Sequence, residues 1–221
     1  MITDAQVRQV QESAAKRLGL SGPQRIRRAE VLATAKPMTV QTTPQKTVFD
    51  NHDLPPRFLR YELGDFSERL RNAAEAVLTN DDCWCVYVWG ETGSRKTTFA
   101  LAMLRWLRAK YKCERKTGEF VPAYQAVQVF RDFETSKPHI EKWQKAPWLV
   151  LDDLGKHRDT PHVIEQLLFL LHWRYDWARP KEKTIITANM SPNELAQRID
   201  PATARRIEEG RIMHLTTKEA L

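Results

Sequence analysis

Apolar and polar positions change rhythm along this chain, and the changes mark out its parts. From residue 54 onward, short apolar runs alternate with stretches whose apolar residues recur every three or four positions. The runs predict strands at about 84–89, 120–124, 147–155, 184–189 and 211–215. The helical rhythm predicts helices over 65–79, 96–111, 125–134, 161–178, 192–198 and 201–209. Phe66, Leu70, Ala73, Ala74, Val77 and Leu78 supply the apolar face of the first, and Leu101, Leu104 and Leu107 the inner face of the second. Alternation of this kind predicts a three-layer α/β/α fold with a parallel sheet covered by helices on both faces.

The N-terminal part reads differently. Residues 3–18 have helical spacing in Val7, Val10, Ala14 and Leu18, with Thr3 and Gln6 as a capping box and Gly19 as a stop. A second short helix is expected from Pro23 to about Thr34, with Ile26 and Ala29 on one face and Arg25, Arg27 and Arg28 around the others. Two such helices bury little by themselves. Residues 1–34 are therefore expected to be a helical arm that docks on a partner. Residues 35–53 carry Thr, Gln and Pro with little periodicity and are expected to be a linker. The core domain is expected to span 54–221.

Composition fits a folded core and adds a bias of charge. Of 221 residues, 42% are apolar and 29% charged, and the net charge is +7. Residues 1–50 hold eight Lys/Arg against four Asp/Glu, so these 50 residues carry +4 and the remaining 171 only +3. A basic balance points to an acidic partner, nucleic acid first. No apolar run approaches a membrane span and no signal peptide is visible, so a cytoplasmic protein is expected. Cys83 and Cys85, two apart, are expected to share one face of a strand as buried free thiols; with Cys113 they lack zinc spacing.

The chemistry concentrates at the ends of two strands. Val86-Tyr87-Val88-Trp89 leads into Gly90-Glu91-Thr92-Gly93-Ser94-Arg95-Lys96-Thr97-Thr98, a strand, a loop and a helix start that match the phosphate-binding pattern G-x-x-x-x-G-K-[ST] at every position but one. Backbone N–H groups of such a loop cradle a polyphosphate, Lys96 is expected to reach the β- and γ-phosphates, and Thr97 to hold Mg²⁺. The exception is Arg95, which stands where the pattern has its second glycine. An outward-pointing Arg95 leaves binding intact, whereas one folded across the loop would occupy the phosphate site; the first is expected because the rest of the set is consistent. The second strand, Trp148-Leu149-Val150-Leu151, ends in Asp152-Asp153. Asp152 is expected to hold Mg²⁺ and Asp153 to orient, or take a proton from, the attacking water.

Together these segments make residues 54–221 resemble the ATPase domain of AAA+ helicase loaders of the DnaC type and transposition helpers of the IstB type. Leu54-Pro55-Pro56-Arg57-Phe58 is similar to the lead-in of those proteins, and Asp152-Asp153-Leu154-Gly155 to their Walker B segment. Thr184 to Asn189 is similar to their sensor-1 strand, with Asn189 as the polar sensor, and Arg205-Arg206-Ile207-Glu208-Glu209-Gly210, following Asp200, to their arginine-finger box. The resemblance implies ATP and Mg²⁺ as ligands, catalytic roles for Asp153, Asn189 and Arg206 (Arg205 the alternate), and an Arg174-Tyr175 pair at a helix end. It also implies a homo-oligomer, no C-terminal lid domain, and single-stranded DNA and a replicative helicase or a transposase as partners. The expected function is ATP-dependent loading of a replicative helicase on single-stranded DNA, with a phage or other mobile element as the expected source. An IstB-type transposase regulator and a catalytically weak nucleotide-binding adaptor are the alternatives. A small-molecule kinase is disfavoured by the Asp-Asp strand, Asn189 and the Arg205-Arg206 box. Trp143, Phe130 and Phe133 near Arg131, Lys137, Lys142 and Lys145 are a further candidate path for a single strand, with ordinary packing the competing reading.

Overall fold

The central strands, apolar on both faces, force a sheet covered on two sides, and the computed structural model of the chain has that form. It describes residues 54–111, 118–131, 133–155, 160–177, 179 and 182–217. The expected arm and linker, 1–34 and 35–53, lie outside the described residues.

Five strands, β1 (Cys85–Trp89), β2 (Glu119–Pro122), β3 (Trp148–Leu154), β4 (Lys183–Ala188) and β5 (Arg211–His214), form one sheet in the order β2-β3-β4-β1-β5. Every pairing is parallel. The helices are α1 (Glu68–Thr79), α2 (Lys96–Tyr111), α3 (Ala123–Arg131), α4 (Phe133–Lys145), α5 (Pro161–Trp177), α6 (Pro192–Arg198) and α7 (Pro201–Glu208). Side chains alternate across each strand, so the core divides in two. Val86, Val88, Val150 and Ile185 pack on one face with Leu54, Leu63, Phe66, α1 and α2. Tyr87, Leu149, Leu151 and Ile186 pack on the other with residues of α3 to α7, Phe130, Trp143, Leu170, Leu195 and Ile207 among them.

Three expectations need correction. Cys83 lies in the turn before β1 and packs with the first cluster, whereas Cys85 packs with the second, so the two free thiols do not share a face. Helix α4 is absent from the expected elements because Pro138 interrupts its pattern and its outer face is charged; Ile140 and Trp143 bury its inner side. The same burial takes two aromatics out of the candidate single-strand path: Phe130 and Trp143 meet edge to face inside the core, at 5.8 Å between centroids, while the side chain of Phe133 lies outside the described residues.

Two buried cations tie the N-terminal end of the sheet. Arg174, 1% exposed, donates from Nη1 to the carbonyls of Trp143 (3.1 Å), Gln144 (3.2 Å) and Ala146 (2.6 Å), from Nη2 to that of Lys183 (3.0 Å), and from Nε to Thr184 Oγ1 (2.7 Å). Burial pushes its pKa down to about 10. Lys183 donates from Nζ to the carbonyls of Asn80 and Cys83, both at 2.6 Å. The Arg174 side chain is thus a staple joining α5, the C-terminal end of α4 with the turn that follows it, and the start of β4. No described helix is long and apolar enough to cross a membrane.

Candidate functional site

The site lies at the C-terminal ends of β1, β3 and β4, where parallel sheets leave helix N-termini and loops open to a ligand. Residues 90–95 connect β1 to α2. A Cβ on Gly90 would sit 2.1 Å from the carbonyl oxygen of Leu215, which closes against the loop while its N–H donates to Trp89 O (2.8 Å). Glycine is therefore required there. Glu91, Thr92 and Gly93 are exposed, while Ser94 and Thr98 are buried beside the helix start. Lys96, 7% exposed, donates from Nζ to the carbonyls of Gly90 (2.9 Å) and Glu91 (2.8 Å). That places its cation across the mouth of the loop.

Arg95 occupies the left-handed region at φ 63°, which explains the glycine of the general pattern. Its side chain is exposed and points outward, with Cζ 5.5 Å from the centroid of Tyr61. The guanidinium lies on the lead-in segment and not across the loop, as the sequence reading favoured.

Strand β3 ends irregularly. Its register with β4 shifts between Leu151 and Leu154, and Asp153 takes φ 63°. Neighbouring strand residues ordinarily point to opposite faces; this irregularity re-aims Asp153. Thr187 joins the Asp152 carboxylate to the backbone of Asp153, donating from Oγ1 to Asp152 Oδ1 (2.7 Å) and accepting from the Asp153 N–H (2.8 Å). Asp152 also hydrogen-bonds with Thr97. Burial pushes its carboxyl above the usual range, opposed by the bonds from Thr187 and Thr97.

Asn189 donates from Nδ2 to Asp153 Oδ1 at 3.2 Å. It does not cap the following helix; Ser191 does, accepting from the Glu194 N–H. The turn that holds Asn189 is fixed by Tyr87, whose hydroxyl donates to Met190 O (2.9 Å), and by Gly155, where a Cβ would lie 2.2 Å from the Met190 methyl.

Thr97, Asp152, Thr187, Asp153 and Asn189 therefore form one hydrogen-bonded line beside Lys96. Thr187 was missed from the sequence. Its signal was its place near the end of β4, two residues before Asn189.

Arg206 lies elsewhere. Its carbonyl accepts from Trp84 Nε1 (2.8 Å) at the N-terminal end of β1, and its guanidinium rests 4.9 Å from the Tyr175 centroid. The loop begins at the opposite end of that five-residue strand, about 17 Å away at the usual rise. Arg206 cannot serve its own loop. Arg205 is exposed on the same helix. The helix is anchored by Asp200, which accepts from the Thr203 N–H (2.7 Å), and by the 2.9 Å contact of Thr203 Oγ1 with His172.

Neither a family model nor a curated protein matches the sequence. Solved structures match in shape. The crystal structure of the DnaC helicase loader aligns at 21% identity and TM-score 0.61, covering 73% of this chain and 100% of that one. DnaI aligns at 18% and 0.60, covering 76% and 94%. AMPPCP-bound DnaA from Aquifex aeolicus aligns at 18% and 0.54, covering 71% and 50%. The fold is that of the AAA+ P-loop proteins. Lys96 and the carboxylates of β3 lie at the C-terminal ends of the strands, the side on which open parallel sheets leave room for a ligand.

The residues fit a magnesium ion. A hydroxyl and a carboxylate already within hydrogen-bonding distance of one another, Thr97 and Asp152, are hard oxygen donors, and Mg²⁺ takes one or two protein oxygens plus phosphate and water.

Proposed function

We propose that this chain is an ATP-hydrolysing helicase loader that helps place a replicative helicase on single-stranded DNA. The hydrogen-bonded line from Thr97 to Asn189 beside Lys96 carries the ATPase part of the reading. Lys96 binds the β- and γ-phosphates, and Thr97 and Asp152 hold Mg²⁺, which when bound neutralises charge on the phosphate oxygens. Asp153 holds the attacking water and accepts its proton, and Asn189 fixes the carboxylate that does so. The outward Arg95 favours this reading over that of an adaptor without catalysis. Coverage supports the loader part, since the match spans the whole of the DnaC structure but half of that of DnaA. A related DnaA binds AMPPCP and single-stranded DNA, and the same two ligands are proposed here. The helical arm, 1–34, is proposed to grip the helicase, in a protein that works in the cytoplasm.

Lys96→Ala is expected to weaken ATP binding by at least about tenfold, the loss of one charge-assisted contact to phosphate. Titration with a fluorescent ATP analogue measures it. Unwinding by the replicative helicase on a protein-coated circular single strand then tests the loader reading. The intact chain is expected to stimulate unwinding and Lys96→Ala to fail; stimulation by neither, with ATP binding intact, rejects the loader reading.

Arg206 is proposed to act on the nucleotide of a second copy. Arg206→Ala is expected to bind ATP normally and hydrolyse it poorly. Mixing it with Lys96→Ala should recover part of the rate, because some interfaces then pair an intact loop with an intact Arg206. A rate that stays flat at every ratio counts against action between copies.

A further inference from the structure

Arg95 and Tyr61 face one another between the phosphate loop and the lead-in segment, and the platform under the ring is built from α2. Arg105 donates from Nη1 to the carbonyls of Leu59 (2.7 Å) and Tyr61 (2.6 Å), and its Nη2 lies 3.7 Å from Glu62 Oε1. The ring therefore has a fixed place relative to the helix that the loop opens. Arg60 shares it, with Cζ 4.8 Å from the same centroid.

The resting place of Arg95 follows from charge. Lys96 already holds one cation over the loop's own carbonyls, and a second cation brought beside it is repelled. The electron-rich face of Tyr61 accepts the guanidinium instead. A polyphosphate reverses the balance. An exposed cation–π contact shifts an equilibrium by a factor of about two to five, whereas a charge-assisted hydrogen bond to phosphate shifts it by about tenfold to a hundredfold. The phosphate wins, and departure of Arg95 also relieves the crowding of two cations on one ring.

We propose that Arg95 is a polyphosphate-contacting residue held in reserve on Tyr61: the ring keeps the guanidinium while the loop is empty, and a bound nucleoside triphosphate draws it onto its phosphate oxygens and frees the ring. This rests on the nucleotide-binding reading of the loop. It gives Tyr61 a positioning role, as a competitor of the phosphates for Arg95, and it links loop occupancy to the segment through which the chain enters the core.

The test is a double-mutant cycle on the full chain, with Mg²⁺ and the slowly hydrolysed analogue ATPγS in a calorimeter. Tyr61→Leu removes the competitor and is expected to tighten binding about two- to fivefold, Tyr61→Phe to leave it unchanged, and Tyr61→Leu in an Arg95→Gly background to do nothing. Because leucine also alters packing at 61, a second measurement uses chain labelled with 3-fluorotyrosine. The Tyr61 fluorine signal, assigned by its loss in Tyr61→Phe, is expected to move on nucleotide addition and to stay in place in Arg95→Gly. Equal effects of Tyr61→Leu in both backgrounds, or a fluorine signal that ignores a nucleotide whose binding the calorimeter registers, overturn the proposal and leave the nucleotide site standing. An absence of binding heat in the unmutated chain overturns the nucleotide site, and the proposal with it.

Discussion

Asp153→Asn is expected to keep ATP and Mg²⁺ and to hydrolyse the nucleotide about a hundredfold more slowly, or worse, the usual loss when a positioned base is removed. The amide has the size of the carboxylate, and asparagine tolerates the left-handed backbone that Asp153 adopts. The link from Asn189 to Oδ1 is also kept in form. What disappears is the capacity to accept a proton from water. Asp152→Asn should differ in kind, weakening the Mg²⁺ dependence of binding, because that oxygen set is the one proposed to hold the metal. Single-turnover hydrolysis beside equilibrium binding separates the two. An Asp153→Asn protein that turns over at the unmutated rate would end the assignment.

Arg174→Met is expected to cost about 3–5 kcal/mol of stability, comparable to breaking a buried charged network. Methionine approximates the volume but leaves the carbonyls of Trp143, Gln144, Ala146 and Lys183 facing an apolar side chain. The shift of the urea midpoint at constant slope measures it. A loss under about 1 kcal/mol would mean that those carbonyls find other partners, and that Arg174 is free for another role.

These two residues show what the sequence exposes and what it hides. Lys96 and the Asp152-Asp153 pair were legible because chemistry and pattern coincide: an apolar strand, a loop or carboxylates at its end, and a helix at the right distance. The parallel sheet was legible for the same reason. Arg174 was not. It sits on a helix end beside a tyrosine, where a charge usually meets solvent, and only the return of β4 and the C-terminal end of α4 surround it with carbonyls. Thr187 looked like one more strand residue until β3 lost its register and brought the Asp152 carboxylate and the Asp153 N–H to its hydroxyl. Cys83 and Cys85 misled because the strand begins between them and the period-two rule was applied across its boundary. Helix α4 was hidden by Pro138, which the periodicity argument treats as a stop and the packing of Ile140 and Trp143 tolerates.

The placement of Arg206 and the phosphate loop at opposite ends of β1 has a kinetic corollary. If each loop borrows its arginine, the rate of hydrolysis is of second order in the chain, while nucleotide uptake is of first order. Dilute chains then fill with ATP and wait, and turnover begins where copies are brought side by side. Such a protein reports its own local density, and it consumes nucleotide at the place where a larger assembly has gathered it, not throughout the solution.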